Sequence, residues 1–233
     1  MTKIKNFFKS ITNSKKKIFA LALSVCVVVL SIAGSSIAYF TDTAKITNTF
    51  TSGNVTIELS EAKVTVGANG HLVPDGTERI TGTESGVENK TFEASALFPG
   101  QKIYKDPTIK NTGKNSAYLG AVITVTTDAG FGTLYADKDD IKTLFTNLAP
   151  SGATVTVKSV TNGYAIYVVY TGPYAKDSEV VIFDGVQIPT TWKNEDMTNV
   201  EGFKIVVEAY AVQIDGFTSA TAALQAAFPA VFN

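Results

Sequence analysis

The sequence predicts an all-β protein, a jelly-roll-like antiparallel β-sandwich with one or two short helices, preceded by an N-terminal signal peptide. Three observations carry this. Runs of β-branched and aromatic residues alternate with Gly-, Asn- and Pro-containing turns through most of residues 39–233. Helical spacing of apolar residues is confined to two short stretches, residues 139–148 and 219–228. The first 38 residues have the zoned composition of an export leader. The chain therefore divides into a signal peptide over 1–38, an N-terminal strand segment over 39–53 and a sandwich domain over 54–233.

The leader is set apart by charge. Lys3, Lys5, Lys9, Lys15, Lys16 and Lys17 precede an uncharged run over residues 18–40, and no acidic residue occurs before Asp42. The lysines form the n-region and residues 18–33 the apolar h-region. Ser36-Ile37-Ala38 fits the small-residue pattern for a cut between Ala38 and Tyr39. The competing reading is an uncleaved anchor, since the uncharged run is long enough to span a bilayer. The small residues and the abrupt change to Thr-rich sequence favour cleavage. Cys26 lies within the h-region behind Val25, where a lipoprotein signal would have a small residue, so it reads as an apolar filler.

Cleavage leaves a cysteine-free domain that must be stable outside the cell through its core alone. Its net charge is 14 − 21 = −7, because the leader carries 6 of the 20 basic residues and none of the 21 acidic ones. An acidic domain without a basic stripe repels phosphate, which argues against nucleic acid and anionic membrane as partners. Hydrophobic residues make up 45% of the chain, which is globular rather than disordered composition.

Along the domain, residues 40–51 alternate. Phe40, Ala44, Ile46 and Phe50 share one parity, and the other is almost entirely Thr, which predicts a single strand with one apolar face. After the turn at Ser52-Gly53-Asn54, Val55, Ile57 and Leu59 continue an inward face. Ala62, Val64 and Val66 resume it with opposite parity, so a bulge is expected near Ser60 and Glu61. Residues 67–96 are polar and predict a long excursion with short, weak strands at most. Strands are predicted over 103–111, 118–126, 155–160, 164–170, 179–183 and 203–214. That gives about eight strands and no internal repeat.

Few residues have the makings of a reactive site. His71 is the only histidine and lies on the polar excursion. There is no HExxH motif, and a zinc site would have to rely on carboxylates. Asp137, Asp139 and Asp140 form the densest acidic cluster. They lack calcium-loop spacing and fit N-capping of the helix that follows. No G-x-S-x-G elbow or complete dinucleotide fingerprint is present, and Trp192 is the only Trp. Neither catalytic, cofactor-binding nor metal-binding residues are assigned.

Several segments together resemble the TasA/camelysin family. The junction Ala38-Tyr39-Phe40-Thr41-Asp42 and the following block from Asn48 to Leu59 are the most specific. Phe98-Pro99-Gly100-Gln101, Ile109-Lys110-Asn111-Thr112-Gly113, the block from Phe183 to Pro189 and the ending from Val207 to Gln213 fit the same pattern. The resemblance implies export, cleavage by a SipW-type signal peptidase, and a secreted structural role as the protein fibre of a biofilm matrix, with other matrix or cell-surface components as possible partners. It also implies a competing activity, because camelysin-type members are catalogued as secreted metallo-endopeptidases. A cell-surface binding module is the third alternative.

Residues 40–50 have the form of a donated strand. They sit at the start of the mature chain, and their apolar set would add about 1.5–3 kcal/mol for each large side chain buried. The same alternation fits the first strand of the chain's own domain. The resemblance favours donation, and a head-to-tail contact of that kind propagates as a filament.

Overall fold

Strands with one apolar face must bury it, and here two sheets bury theirs against each other. The computed structural model describes residues 41–45, 48–49, 55–81, 97–135, 137–150 and 152–233. Its strands are β1 (Thr41–Lys45), β2 (Asn48–Thr49), β3 (Ile57–Val66), β4 (Leu72–Thr81), β5 (Lys102–Tyr104), β6 (Thr108–Asn111) and β7 (Ala117–Thr126). They continue with β8 (Phe145–Thr146), β9 (Ala153–Val160), β10 (Gly163–Tyr170), β11 (Glu179–Val181), β12 (Gly185–Gln187) and β13 (Lys204–Gln213). Three short helices follow late in the chain: α1 (Asn194–Asn199), α2 (Ala220–Ala227) and α3 (Pro229–Phe232).

One sheet has the order β2-β1-β13-β7-β10-β9 and the other β11-β6-β3-β4-β5-β12-β8. Pairing is antiparallel throughout, apart from one parallel contact of Leu72 with Ile103. The chain passes between the sheets repeatedly, so the protein is an all-β sandwich, as expected. The main core lies between the sheets. Ile57, Leu59 and Ile109 from one side meet Leu119, Ile123, Ile166, Val168 and Val207 from the other, and Phe183 and Tyr170 are fully buried among them.

The first sheet also buries its outer face. α2 and α3 cover Tyr118, Val122, Ala165, Val169, Tyr210 and Val212 with Ala223, Leu224 and Phe232. This double burial explains why β7 and β10 read as nearly unbroken apolar runs rather than alternating ones. Gly120 makes the close approach possible, because a Cβ there would stand 2.8 Å from Leu224 Cδ1 and 3.0 Å from Phe232 Cζ. The Ser219 hydroxyl caps α2 by accepting from the Ala222 N–H at 3.2 Å. Among the described residues, no helix is long and apolar enough to cross a membrane.

Several expectations change. Residues 40–51 do not form one strand: β1 and β2 pair antiparallel with each other, Ala44 opposite Thr49 and Lys45 opposite Asn48. Side-chain parity alone cannot distinguish a long strand from two short paired ones. The polar stretch from residue 67 carries a full ten-residue strand, β4, paired with β3. It is polar because both strands run out into solvent as a ribbon, where Val66 and Val73 are exposed. The bulge falls between Ala62 and Val64, slightly later than the parity slip suggests. The strand expected over 103–111 is two strands split at Lys105-Asp106-Pro107, where proline cannot donate to a ladder. The helix expected over 139–148 is a 3-10 turn, Lys138–Leu144, that runs directly into β8. α2 forms where the apolar spacing places it.

Candidate functional site

β13 is the longest element at one side of the first sheet, and what lies along its outer edge decides whether that edge is open. Its inner neighbour β7 pairs with it from Lys204 opposite Thr126 to Gln213 opposite Ala117. Both of its faces are occupied. Val207, Ala209 and Ala211 enter the main core, and Tyr210 and Val212 pack beneath α2 and α3. The outer edge is covered over five residues by β1, with Thr41 opposite Val212, Asp42 opposite Ala211, Thr43 opposite Tyr210, Ala44 opposite Ala209 and Lys45 opposite Glu208. Without β1 this side of the sheet would end in a ten-residue strand with unpaired backbone groups.

The edge has limited chemistry of its own. The Tyr210 hydroxyl donates to Glu208 Oε2 at 3.0 Å. Burial, followed by the charge of Glu208, pushes the Tyr210 hydroxyl well above its ordinary pKa, so it remains a proton donor. The arrangement offers a strand-binding edge with a half-buried carboxylate at one end. Of the residues assigned to a donated strand, Ala44 lies in β1, while Phe40, Ile46 and Phe50 lie outside the described residues. Ser36, Ala38 and Tyr39 at the predicted cleavage site also lie outside them.

The sequence reading missed the most elaborate polar constellation, which is centred on Arg79. Its Nη1 meets Asp106 Oδ2 at 2.6 Å, and its Nε meets Ser60 Oγ at 3.1 Å. Its Nη2 donates to the carbonyls of Ser60 and Asp106 and to Thr108 Oγ1, at 3.2, 3.1 and 2.9 Å. Asp106 Oδ1 accepts the Ala62 N–H at 2.8 Å, beside the bulge where the β3–β4 ladder shifts. Tyr104 donates its hydroxyl to Asp106 Oδ2 at 3.3 Å. Burial first, then Asp106, raises the Tyr104 pKa. Next to this knot the buried Lys105 ammonium pairs with Glu61. The group is a pin joining β3, β4 and β6. A signal for it was available: Arg79 is the chain's single arginine, and only a planar guanidinium supplies five donors in a fixed fork.

The other singled-out residues are structural. Asp137 caps the 3-10 turn by accepting the Asp139 N–H at 2.8 Å, and Asp140 accepts the Asp137 N–H at 3.2 Å. Asp139 faces Lys138 and Lys142 at 3.5 and 3.4 Å. His71 Nδ1 accepts the Lys102 N–H at 3.0 Å and its ring lies 5.8 Å from Phe98, so it clamps the start of β4 to β5. Trp192 is buried against Tyr135 at 6.0 Å. Among the described residues, no three histidine, cysteine or acidic side chains come together as a set that could hold a metal ion. The side chains available there do not fit a peptidase metal centre.

No family model, no curated protein and no solved structure matches the chain.

Proposed function

We propose that this is a secreted structural protein of the TasA/camelysin kind, which assembles head to tail into extracellular fibres of a biofilm matrix. In this reading residues 1–38 are removed after Ala38 by a SipW-type signal peptidase. The freed N-terminal segment then leaves its own β13 and pairs with β13 of the next subunit. One observation carries the proposal: Thr41–Lys45 lie along the outer edge of the sheet beside β13, and among the described residues their partners within the sheet are β13 and β2. A strand attached in this way exchanges between copies without disturbing β7, β10 or β9. Main-chain hydrogen bonding supplies affinity and cross-strand pairs supply register. The acidic, cysteine-free composition of residues 39–233 is compatible with a life outside the cell.

The experiment deletes residues 40–50 from the mature protein. The expected product is a soluble monomer of reduced stability that forms no fibres, and an added peptide of residues 40–50 restores its melting temperature by mass action. Fibres of normal appearance from the deletion protein contradict the proposal. Chelator-sensitive casein hydrolysis by purified protein would support the peptidase reading instead.

A further inference from the structure

The seven-stranded sheet is held together unevenly. β11, β6, β3 and β4 form one part, β5, β12 and β8 the other, and β4 meets β5 through a single parallel pair, Leu72 opposite Ile103. The other neighbours in this sheet are joined over two residues or more. Side chains complete the weak joint. The buried Gln101 donates through Nε2 to the Gly70 carbonyl at 2.9 Å. His71 Nδ1 accepts the Lys102 N–H at 3.0 Å, so an imidazole stands where a longer ladder would place a strand carbonyl. The half-buried ring leans on Phe98, 5.8 Å away.

The two ends of the β3–β4 ribbon therefore depend on different chemistry. Its base is tied down by Arg79, which bonds Asp106 and Thr108 and keeps its charge at any ordinary pH. Its tip hangs on a histidine, a side chain whose charge changes between about pH 5 and about pH 8. An imidazole accepts through Nδ1 only while that nitrogen is unprotonated. A proton there sets two N–H donors against each other. Lys102 and Tyr104 are the titratable residues of β5. The turn over 97–101, the stretch 185–192 bonded to it through Gly100 and Ile188, and the ribbon tip over 66–70 contain none. On β4 itself the first is Asp75, four residues along the strand. Among the described residues, no carboxylate forms an ion pair with the ring to offset an added charge.

We propose that the joint between β4 and β5 is a proton-operated latch. With His71 neutral the two parts form one sheet. With His71 protonated the ribbon tip, residues 66–72, swings away from β5 while Arg79 holds its base. The closed joint excludes the proton from Nδ1, so it is strongest at the alkaline end of the histidine range and is lost as pH falls through that range. Opening leaves the Lys102 N–H without its acceptor and uncovers one side of β5, an edge that a further strand can pair with. The latch lies in the sheet that does not contain β13 and does not depend on strand donation.

Hydrogen exchange of single amides in the full chain, expressed as protection factors, tests this at about pH 7.5 and about pH 5, towards the two ends of the histidine range. The Lys102 amide is expected to lose about tenfold in protection between the two. Ala62, whose N–H is bonded to Asp106 at the base, and Val168, in the core of the other sheet, are expected to keep theirs. His71→Asn retains an acceptor at the δ position and cannot take up the proton, so its Lys102 amide is expected to stay protected at both pH values. His71→Ala has no acceptor, and its Lys102 amide is expected to be poorly protected at both. Equal protection of Lys102 at the two pH values in the unsubstituted protein would overturn the inference, as would an equal fall in His71→Asn. A loss at Ala62 and Val168 that matches the loss at Lys102 would overturn it too, because acid would then be unfolding the domain rather than releasing the tip.

Discussion

Lys45 of β1 lies directly opposite Glu208 of β13, at the end of the five-residue register that attaches the N-terminal segment to the sheet. Glu208 is half-buried and is held by the Tyr210 hydroxyl, so its carboxylate has a fixed position beside β1. Opposite charges at facing positions stabilise a strand pair by about 0.2–1 kcal/mol, and like charges weaken it by a similar amount. Under the proposed strand donation, Glu208→Lys is therefore expected to raise the critical concentration for fibre formation by about five- to tenfold. Sedimentation of fibres across a concentration series reads this directly. The Lys45→Glu/Glu208→Lys double variant is expected to return to the starting value.

The knot around Arg79 predicts an asymmetry in stability. Asp106→Ala leaves the Ala62 N–H and Arg79 Nη1 without the carboxylate that accepts from them, and is expected to destabilise the domain by about 3 kcal/mol. Arg79→Lys keeps the charge but loses the forked bonds to Ser60 and Thr108, and is expected to cost about 1–2 kcal/mol. Urea unfolding of the two variants checks the order.

The helices over the outer face of the first sheet predict a second dependence. Leu224→Ala opens a cavity above Gly120 and is expected to destabilise by about 2–4 kcal/mol. Gly120→Val drives a side chain into Leu224 and Phe232, and overpacking of this kind costs about 1–3 kcal/mol. Thermal melts of both variants, with far-ultraviolet circular dichroism as a check on the fold, measure these effects.

Much of this architecture is legible in the sequence, and the exceptions have physical causes. Tyr118 to Thr126 reads as a central strand because burial on both faces makes its residues uniformly apolar. The α2 helix is legible because Leu224 and its neighbours recur at helical spacing behind a Ser219 cap. β4 is not legible, because Val73, Asp75, Thr77 and Glu78 face solvent on a two-stranded ribbon and show no apolar period. The pairing of β1 with β2 is hidden because the same parity serves one long strand or two short paired ones. The Arg79 knot joins residues from Ser60 to Thr108, and no local window contains such a contact; only the singularity of Arg79 hints at it.

Four tyrosines set the response to alkali. Burial raises the pKa of Tyr104, Tyr135, Tyr170 and Tyr210 above the ordinary 10.0. A group whose folded pKa is raised contributes stability below its unfolded pKa and loses that contribution as pH rises through the folded value. The domain is therefore expected to lose stability progressively above pH 10, the value at which the unfolded tyrosines ionise. Phenolate absorbance is expected to rise in two phases, with the buried tyrosines ionising together as the domain unfolds. A single smooth titration of all tyrosines in protein that keeps its circular dichroism would contradict their burial.

Whether the N-terminal segment joins neighbouring subunits is tested most directly by mixing the two single charge variants. A Lys45→Glu subunit has a donor strand suited to the edge of a Glu208→Lys subunit, and the reverse pairing places lysine at 45 opposite glutamate at 208 again. Each variant alone faces like charges at this position in every junction. Strand donation predicts that an equimolar mixture assembles near the critical concentration of the unmodified protein, while each variant alone requires about five- to tenfold more. If residues 41–45 pair only within their own chain, mixing cannot create the complementary contact. A mixture that assembles no better than its two components would contradict donation along β13.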